Sequence, residues 1–229
     1  NMILVTRTGS KLHGLKEKLE KTYGVDVEIY SADLSVKEER QKLFDYTTSN
    51  HMIVENLINN AGFGNADAYL DTPWELHKNM VDINVVALMH LSHLYGNEMK
   101  KRRKGRILNV ASVAAFSAGP YMSVYYASKA FVFSLSQAMY EELKGYGVSV
   151  TALCPGPTGT NFENTAGLTN SKMFKVFGVE KADSVVKRGY KGMMRGKAIV
   201  YHSKVTYGFN IITRLVSRKC ARNIAGRIN

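Results

Sequence analysis

Short apolar runs alternate with stretches of helical periodicity along the whole 229-residue chain, and no other feature restricts the fold as much. Strand–helix–strand order repeated in this way builds a parallel sheet with helices on both faces, a doubly wound α/β fold of three layers. The expected strands are Met2–Thr6, 25–30, Asn56–Asn59, 106–112, 148–153 and 198–202. Between them, helices are expected at 10–22, 36–49, 73–101, 122–145, Ala182–Met194 and 206–228. Leu12, Leu15 and Leu19 recur on one face of the first helix, and Gly24 closes it. Thr72 is placed to cap the third helix, with Pro73 in its first turn. Pro155-Gly156-Pro157 forces a turn directly after the fifth strand.

Hydrophobic residues make up 45% and charged residues 22% of the chain, enough apolar material for one domain over residues 1–229. Within it, 158–195 reads as a flap over an apolar pocket, dotted with Phe162, Leu168, Met173, Phe174 and Phe177. Neither a membrane span nor a secretory signal is recognisable, and the expected compartment is the cytoplasm. Cys154 and Cys220 form no CxxC clamp and no HExxH is present, so no metal site is expected.

The formal charge of +12 is unevenly spread. From residue 181 onward the one acid is Asp183, and most of the excess positive charge lies there. Residues 203–229 are expected to end in a basic amphipathic helix with Phe209, Ile211, Ile212, Leu215 and Val216 among Arg214, Arg218, Lys219 and Arg222. Packing against the domain or a partner subunit is its first reading, and peripheral membrane contact the alternative. Base-stacking aromatics are sparse, which disfavours nucleic acid as the partner. The basic run 100–104 falls at a predicted helix C-terminus, where the helix dipole favours cations.

Tyr125 and Lys129 lie four residues apart, which puts both on one helix face. A phenol with its usual pKa near 10 is a poor acid–base catalyst at neutral pH, and a neighbouring ammonium stabilises the phenolate. The same spacing recurs at Tyr140 and Lys144, so spacing alone does not choose. Ser112, at the end of a predicted strand ahead of Tyr125, does: the equivalent residue ahead of Tyr140 is Ala127. Parallel sheets carry their reactive groups at the C-terminal strand edge. There a serine can donate to a substrate oxygen while a tyrosine gives or takes the proton.

Asn59-Asn60-Ala61-Gly62, Asn84, Asn109-Val110-Ala111-Ser112, Tyr125-x-x-x-Lys129 and the stretch 155–160 follow one another in an order that resembles the short-chain dehydrogenase/reductase family. The chain is most similar to the NADP-preferring bacterial branch that ends in a basic helix. The resemblance implies a Rossmann-like fold and an NADP(H)-dependent enzyme interconverting a carbonyl and a secondary alcohol. It implies Tyr125 as general acid/base, Ser112 orienting the substrate oxygen, Lys129 assisting the phenol and holding the nicotinamide ribose, and Asn84 positioning a relay water. Asn60, Ala61 and Gly62 would border the adenosine ribose. Pro155, Gly156, Thr158 and Thr160 would meet the carboxamide and phosphates, and Asp33 the adenine edge. Arg7 after the first visible strand, where an NAD site carries an acid, points to the 2′-phosphate of NADP. The aromatics of the flap suggest an apolar small-molecule carbonyl or alcohol as substrate, and the resemblance further implies a homodimer or homotetramer joined through the two longest helices.

The chain departs from the family in lacking the first strand and the Gly-rich phosphate loop. Because an unfilled slot inside a sheet strands its amides, the expectation is that further sequence precedes Asn1. Two other readings stay open: a catalytically silent nucleotide fold, and an anionic-surface binder acting through the basic C-terminal segment.

Overall fold

A computed structural model describes residues 1–168 and 178–228, which group into two compact units, Asn1–Ile53 and Val54–Asn229. In the first unit, β1 (Met2–Thr6) runs parallel to β2 (Val27–Ser31), with Met2 opposite Val27 and Thr6 opposite Ser31. They are joined by a 3-10 turn at Gly9–Leu12 and helix α1 (His13–Tyr23). Gly24 ends α1 in the left-handed region at φ 61°, where its N–H donates to the Glu20 carbonyl oxygen. The leucine face of α1 is not buried as its spacing predicts: Leu15 stays 44% exposed. A two-stranded sheet offers too little apolar surface to cover a helix face. Helix α2 (Lys37–Ser49) follows β2.

The second unit holds a four-stranded parallel sheet. Its order is β3 (Asn56–Asn59), β4 (Gly105–Val110), β5 (Val148–Cys154), then the strand Ile199–Tyr201. Successive side chains of a strand point to opposite faces, and both faces here are covered. Ile107, Val148 and Val150 pack with Met99, and Ala152 and Cys154 with Val132 and Phe133. These partners come from helices α4 (Leu88–Arg102) and α5 (Ser123–Leu143). The alternate residues Leu108 and Leu153 pack with Val185 and Met193 on the other side.

Helix α3 (Trp74–Val81) leads into α4 through a π-helical turn, Asp82–Ala87, so the single helix expected over 73–101 carries an extra residue in one turn. Thr72 does not cap it. The Thr72 hydroxyl donates to the Ala68 carbonyl oxygen at 3.1 Å, and Pro73 takes the cap position. The last turn of α4 holds Lys100, Lys101 and Arg102, as the dipole argument anticipates.

Beyond β5 come the short parallel pair β6 (Thr158–Gly159) and β7 (Glu180–Lys181), with α6 (Phe162–Thr165) between them. Met173, Phe174 and Phe177 lie outside the described residues. Helix α7 (Ala182–Met194) then supplies Val185 and Met193, and β8 (Ile199–Tyr201) completes the sheet. The continuous helix expected over 206–228 is two helices, α8 (Lys204–Leu215) and α9 (Arg218–Ile228). Val216 is extended, and the Ser217 hydroxyl accepts the Cys220 N–H at 3.3 Å, opening α9 with a new cap.

Candidate active site

A buried polar chain joins the C-terminal half of the central strands to the helices behind them. The Asn59 amide donates to the Ser92 hydroxyl (2.9 Å) and to Asn109 Oδ1 (2.8 Å). Asn109 in turn donates to Ser136 (2.9 Å), and Asn109 and Ser136 have no exposed surface. Every amide hydrogen left unpaired at such depth costs about 1–3 kcal/mol, so the chain fixes where β3, β4, α4 and α5 meet. The candidate site sits directly past these strand ends.

Strand β4 stops at Val110, two residues earlier than the sequence pattern predicts. Ser112 lies beyond it as an extended cap whose hydroxyl accepts the Ala114 N–H at 3.1 Å. That cap turns the chain into a 3-10 turn, Val113–Phe116, and keeps Ser112 only 8% exposed. Opposite it, the first turns of α5 present Tyr125 and Lys129. The Ser112 hydroxyl is within hydrogen-bonding reach of the Tyr125 phenol. Lys129 Nζ stands 5.8 Å from the centre of the Tyr125 ring and donates to the Val110 carbonyl oxygen at 2.8 Å. The competing pair behaves differently: Lys144 is exposed and hydrogen-bonds Glu141 on the solvent face.

Asn84 occupies the π-helical turn and is 1% exposed. Its Oδ1 accepts the Phe63 N–H (3.0 Å), while its Nδ2 donates to the Phe63 carbonyl oxygen (2.9 Å) and the Ser128 hydroxyl (3.1 Å). Phe63 and Ser128, the hydrogen-bond partners of Asn84, are not among the residues that the motifs single out. For Ser128 a signal existed, because it sits three residues after Tyr125, between the two catalytic candidates.

Burial governs the proton affinities. It pushes the Tyr125 phenol up to about 12, against the lowering effect of the Ser112 hydrogen bond. It also pulls the Lys129 ammonium down to about 8. Removal from water, rather than the charge of Lys129 expected to lower it, governs the phenol. Cys154, buried at the end of β5, is pushed above the usual thiol range by burial, partly offset by the nearby Lys129 charge.

Asn60, Ala61 and Gly62 follow β3 as an exposed stretch. A side chain on Gly62 would place its Cβ 2.9 Å from Asn84 Oδ1 and 3.5 Å from Lys129 Nζ, so bare backbone is required beside the amine. Pro155 anchors the following loop by accepting the Val113 N–H at 2.8 Å. Thr158 donates to Gly156 O (3.0 Å), and Thr160 Oγ1 accepts the Phe162 N–H (3.3 Å). In the N-terminal unit Arg7 follows β1, and its charge helps hold the Asp33 carboxyl below the usual range, after the larger effect of hydrogen bonds from Ser35.

The phenol faces an apolar surface. Phe162 stacks obliquely on Tyr125 with centroids 5.3 Å apart, among Met122, Tyr126, Ala166, Leu168 and, from α9, Ala225. A shallow cleft borders Tyr125 and includes Asp67, His77 and Tyr121. A serine hydroxyl, a phenol, a buried amine and an apolar wall can orient a carbonyl oxygen and exchange a proton with it.

Residues 1–170 match the sequence profile of short chain dehydrogenases. The chain belongs to the short-chain dehydrogenase family. This short-chain dehydrogenase is 31% identical over 160 residues to a 7beta-hydroxysteroid dehydrogenase of Collinsella aerofaciens, a match covering 70% of this chain and 60% of that protein. It is 32% identical over 196 residues to the Mus musculus 17-beta-hydroxysteroid dehydrogenase type 3, covering 83% and 60%. The chain thus spans about 60% of the length of these relatives. Its fold superposes with a TM-score of 0.81 on a short-chain dehydrogenase from Sphingobium yanoikuyae solved in complex with NADPH, at 27% identity over 93% of this chain and 83% of that one. The fold of this short-chain dehydrogenase is therefore Rossmann-like α/β. Among the described residues, none of its helices is long and apolar enough to cross a membrane.

Proposed function

We propose that this chain carries the catalytic machinery of an NADP(H)-dependent oxidoreductase that interconverts a bulky apolar ketone and its secondary alcohol in the cytoplasm. The observation that carries the reading is the meeting of Ser112, Tyr125 and Lys129 at one strand edge, beneath the apolar wall of Phe162, Met122 and Leu168. In reduction the Ser112 hydroxyl orients the carbonyl oxygen. The Tyr125 phenol gives its proton to that oxygen as negative charge develops there, and in oxidation the phenolate takes it back. With its phenol pushed up to about 12, Tyr125 is protonated at neutral pH, the form that donates in reduction, although burial alone makes it a weaker acid than a free phenol. The chemistry a nicotinamide would supply when held there is the donation or acceptance of the hydride.

The residues present fit such a cofactor. Lys129 is a buried ammonium with three donors, and Val110 O satisfies one of them. Gly62 leaves bare backbone beside it. Lys129, Tyr125, Asn60, Ala61, Gly62, Pro155, Gly156, Thr158 and Thr160 hold the cofactor in this reading, with Asp33 at the adenine and Arg7 at the 2′-phosphate. Asn84 positions the proton-relay water. The hydroxysteroid dehydrogenases among the relatives favour a polycyclic ketone, and the long helices favour a homodimer or homotetramer.

The test is NADPH consumption with a panel of ketosteroids and other bulky ketones. Turnover is expected, reduced about 10²–10⁴-fold in Tyr125→Phe while NADPH binding persists. Activity that survives the substitution, or NADPH binding with no turnover on any ketone, overturns the reading.

A further inference from the structure

Helix α8 is amphipathic in the inverted sense. The two residues it buries are polar, Thr206 and Asn210. Thr206 is held by Ser203, and the Asn210 amide donates to the Tyr201 hydroxyl at 2.8 Å. The opposite face is apolar and turned to solvent: Tyr207 is 53%, Ile212 53% and Leu215 81% exposed, with Ile211 beside them. Tyr207, Ile211 and Leu215 recur every fourth residue and form one stripe. A helix of a water-soluble protein ordinarily shows the reverse arrangement.

Exposed cations accompany the stripe along the same two helices. Lys204 and Arg214 lie on α8, and Arg218, Lys219, Arg222 and Arg227 lie on α9, all exposed. None of them takes part in an ion pair among the described residues. Helix α9 turns Ala221 and Ala225 inward, where Ala225 packs beside Met122 and Tyr126, so its cations are left for the outside.

We infer that the outward faces of α8 and α9 dock on the surface of a bilayer containing anionic phospholipid. Isoleucine, leucine and tyrosine enter the headgroup boundary while the arginines and lysines meet lipid phosphates. Charge decides against a second copy of this surface as the occupant. Asp183 is the one acid from residue 181 onward, so two such faces brought together would oppose cation to cation. A face built only to bind a polyanion has no use for the exposed Ile212 and Leu215.

The experiment is co-sedimentation of the full chain with phosphatidylcholine vesicles, with and without phosphatidylserine. The bound fraction is expected to rise about tenfold with phosphatidylserine and to fall with added salt. Ile212→Ser/Leu215→Ser should abolish most of this binding with the melting temperature unchanged, because those side chains are exposed. Arg218→Gln/Arg222→Gln should remove the preference for phosphatidylserine. Equal binding to both vesicles, or full binding by the serine variant, overturns the inference. So does a dimer in sedimentation velocity that the serine variant dissociates, which would assign the face to a second copy. Retention on duplex DNA in place of vesicles, unaffected by the serine variant, overturns it as well.

Discussion

Lys129 and Tyr125 share one face of α5, with the Lys129 Nζ 5.8 Å from the centre of the Tyr125 ring, and no carboxylate is hydrogen-bonded to that amine among the described residues. The arrangement sets a buried ammonium beside a half-buried phenol. Each is pushed toward its neutral form, Lys129 down to about 8 and Tyr125 up to about 12.

That pair makes stability depend on alkaline pH in two opposed windows. An unfolded lysine near 10.5 binds more protons than folded Lys129 between pH about 8 and 10.5, so its contribution to stability rises with pH there. Tyr125 acts oppositely: the stability of its protonated form is present below about 10 and lost as pH climbs toward about 12. Lys129→Met is therefore expected to be more stable than the parent at about pH 7.5, by up to about 3 kcal/mol, with the gap closing near pH 10. Urea midpoints at both pH values measure it. Parallel curves for the two proteins would show that the amine is not desolvated.

Asn84 clamps Phe63 through both its amide atoms and reaches Ser128 as well. Asn84→Asp keeps the shape but removes both donations and buries a carboxylate. A loss on the order of 2–4 kcal/mol follows, larger than for Asn84→Ala, at about 1–3. Thermal unfolding ranks the two variants, and equal melting temperatures would contradict the clamp.

Gly62→Ala forces a methyl to within 2.9 Å of Asn84 Oδ1, an atom already fixed by the Phe63 N–H. NADPH affinity should weaken about tenfold, which corresponds to about 1.4 kcal/mol. Cofactor fluorescence titration reads the change, and an unaltered Kd would place the cofactor elsewhere.

Arg7 is the charge that bears on Asp33 in the N-terminal unit. Arg7→Glu should lower the ratio of kcat/KM for NADPH over NADH by roughly 10–100-fold, the value of one charge-assisted hydrogen bond. Independently of any cofactor, Arg7→Ala should raise the Asp33 titration midpoint seen by NMR. A ratio that stays the same would remove Arg7 from the phosphate site.

Much of the site was legible because its signals are periodic. Tyr125 and Lys129 meet on one turn-to-turn step, and Ser112 separated them from the decoy Tyr140 and Lys144, whose lysine is held on the solvent face by Glu141. The π-helical turn around Asn84 carried no sequence signal, because its extra residue leaves the apolar pattern of the helix unbroken. Likewise Thr72 is a good cap by residue type, yet the Ala68 carbonyl oxygen took its hydroxyl.

The sequence by itself determined the parallel α/β order, the family motifs and the helix step that joins Tyr125 to Lys129, since all of these depend on local periodicity and spacing. Tertiary structure alone decided that burial sets the proton affinities of that pair, that Phe162 packs on the Tyr125 ring, and that α8 turns its polar side inward. Desolvation and facing depend on neighbours distant along the chain, which no local pattern encodes.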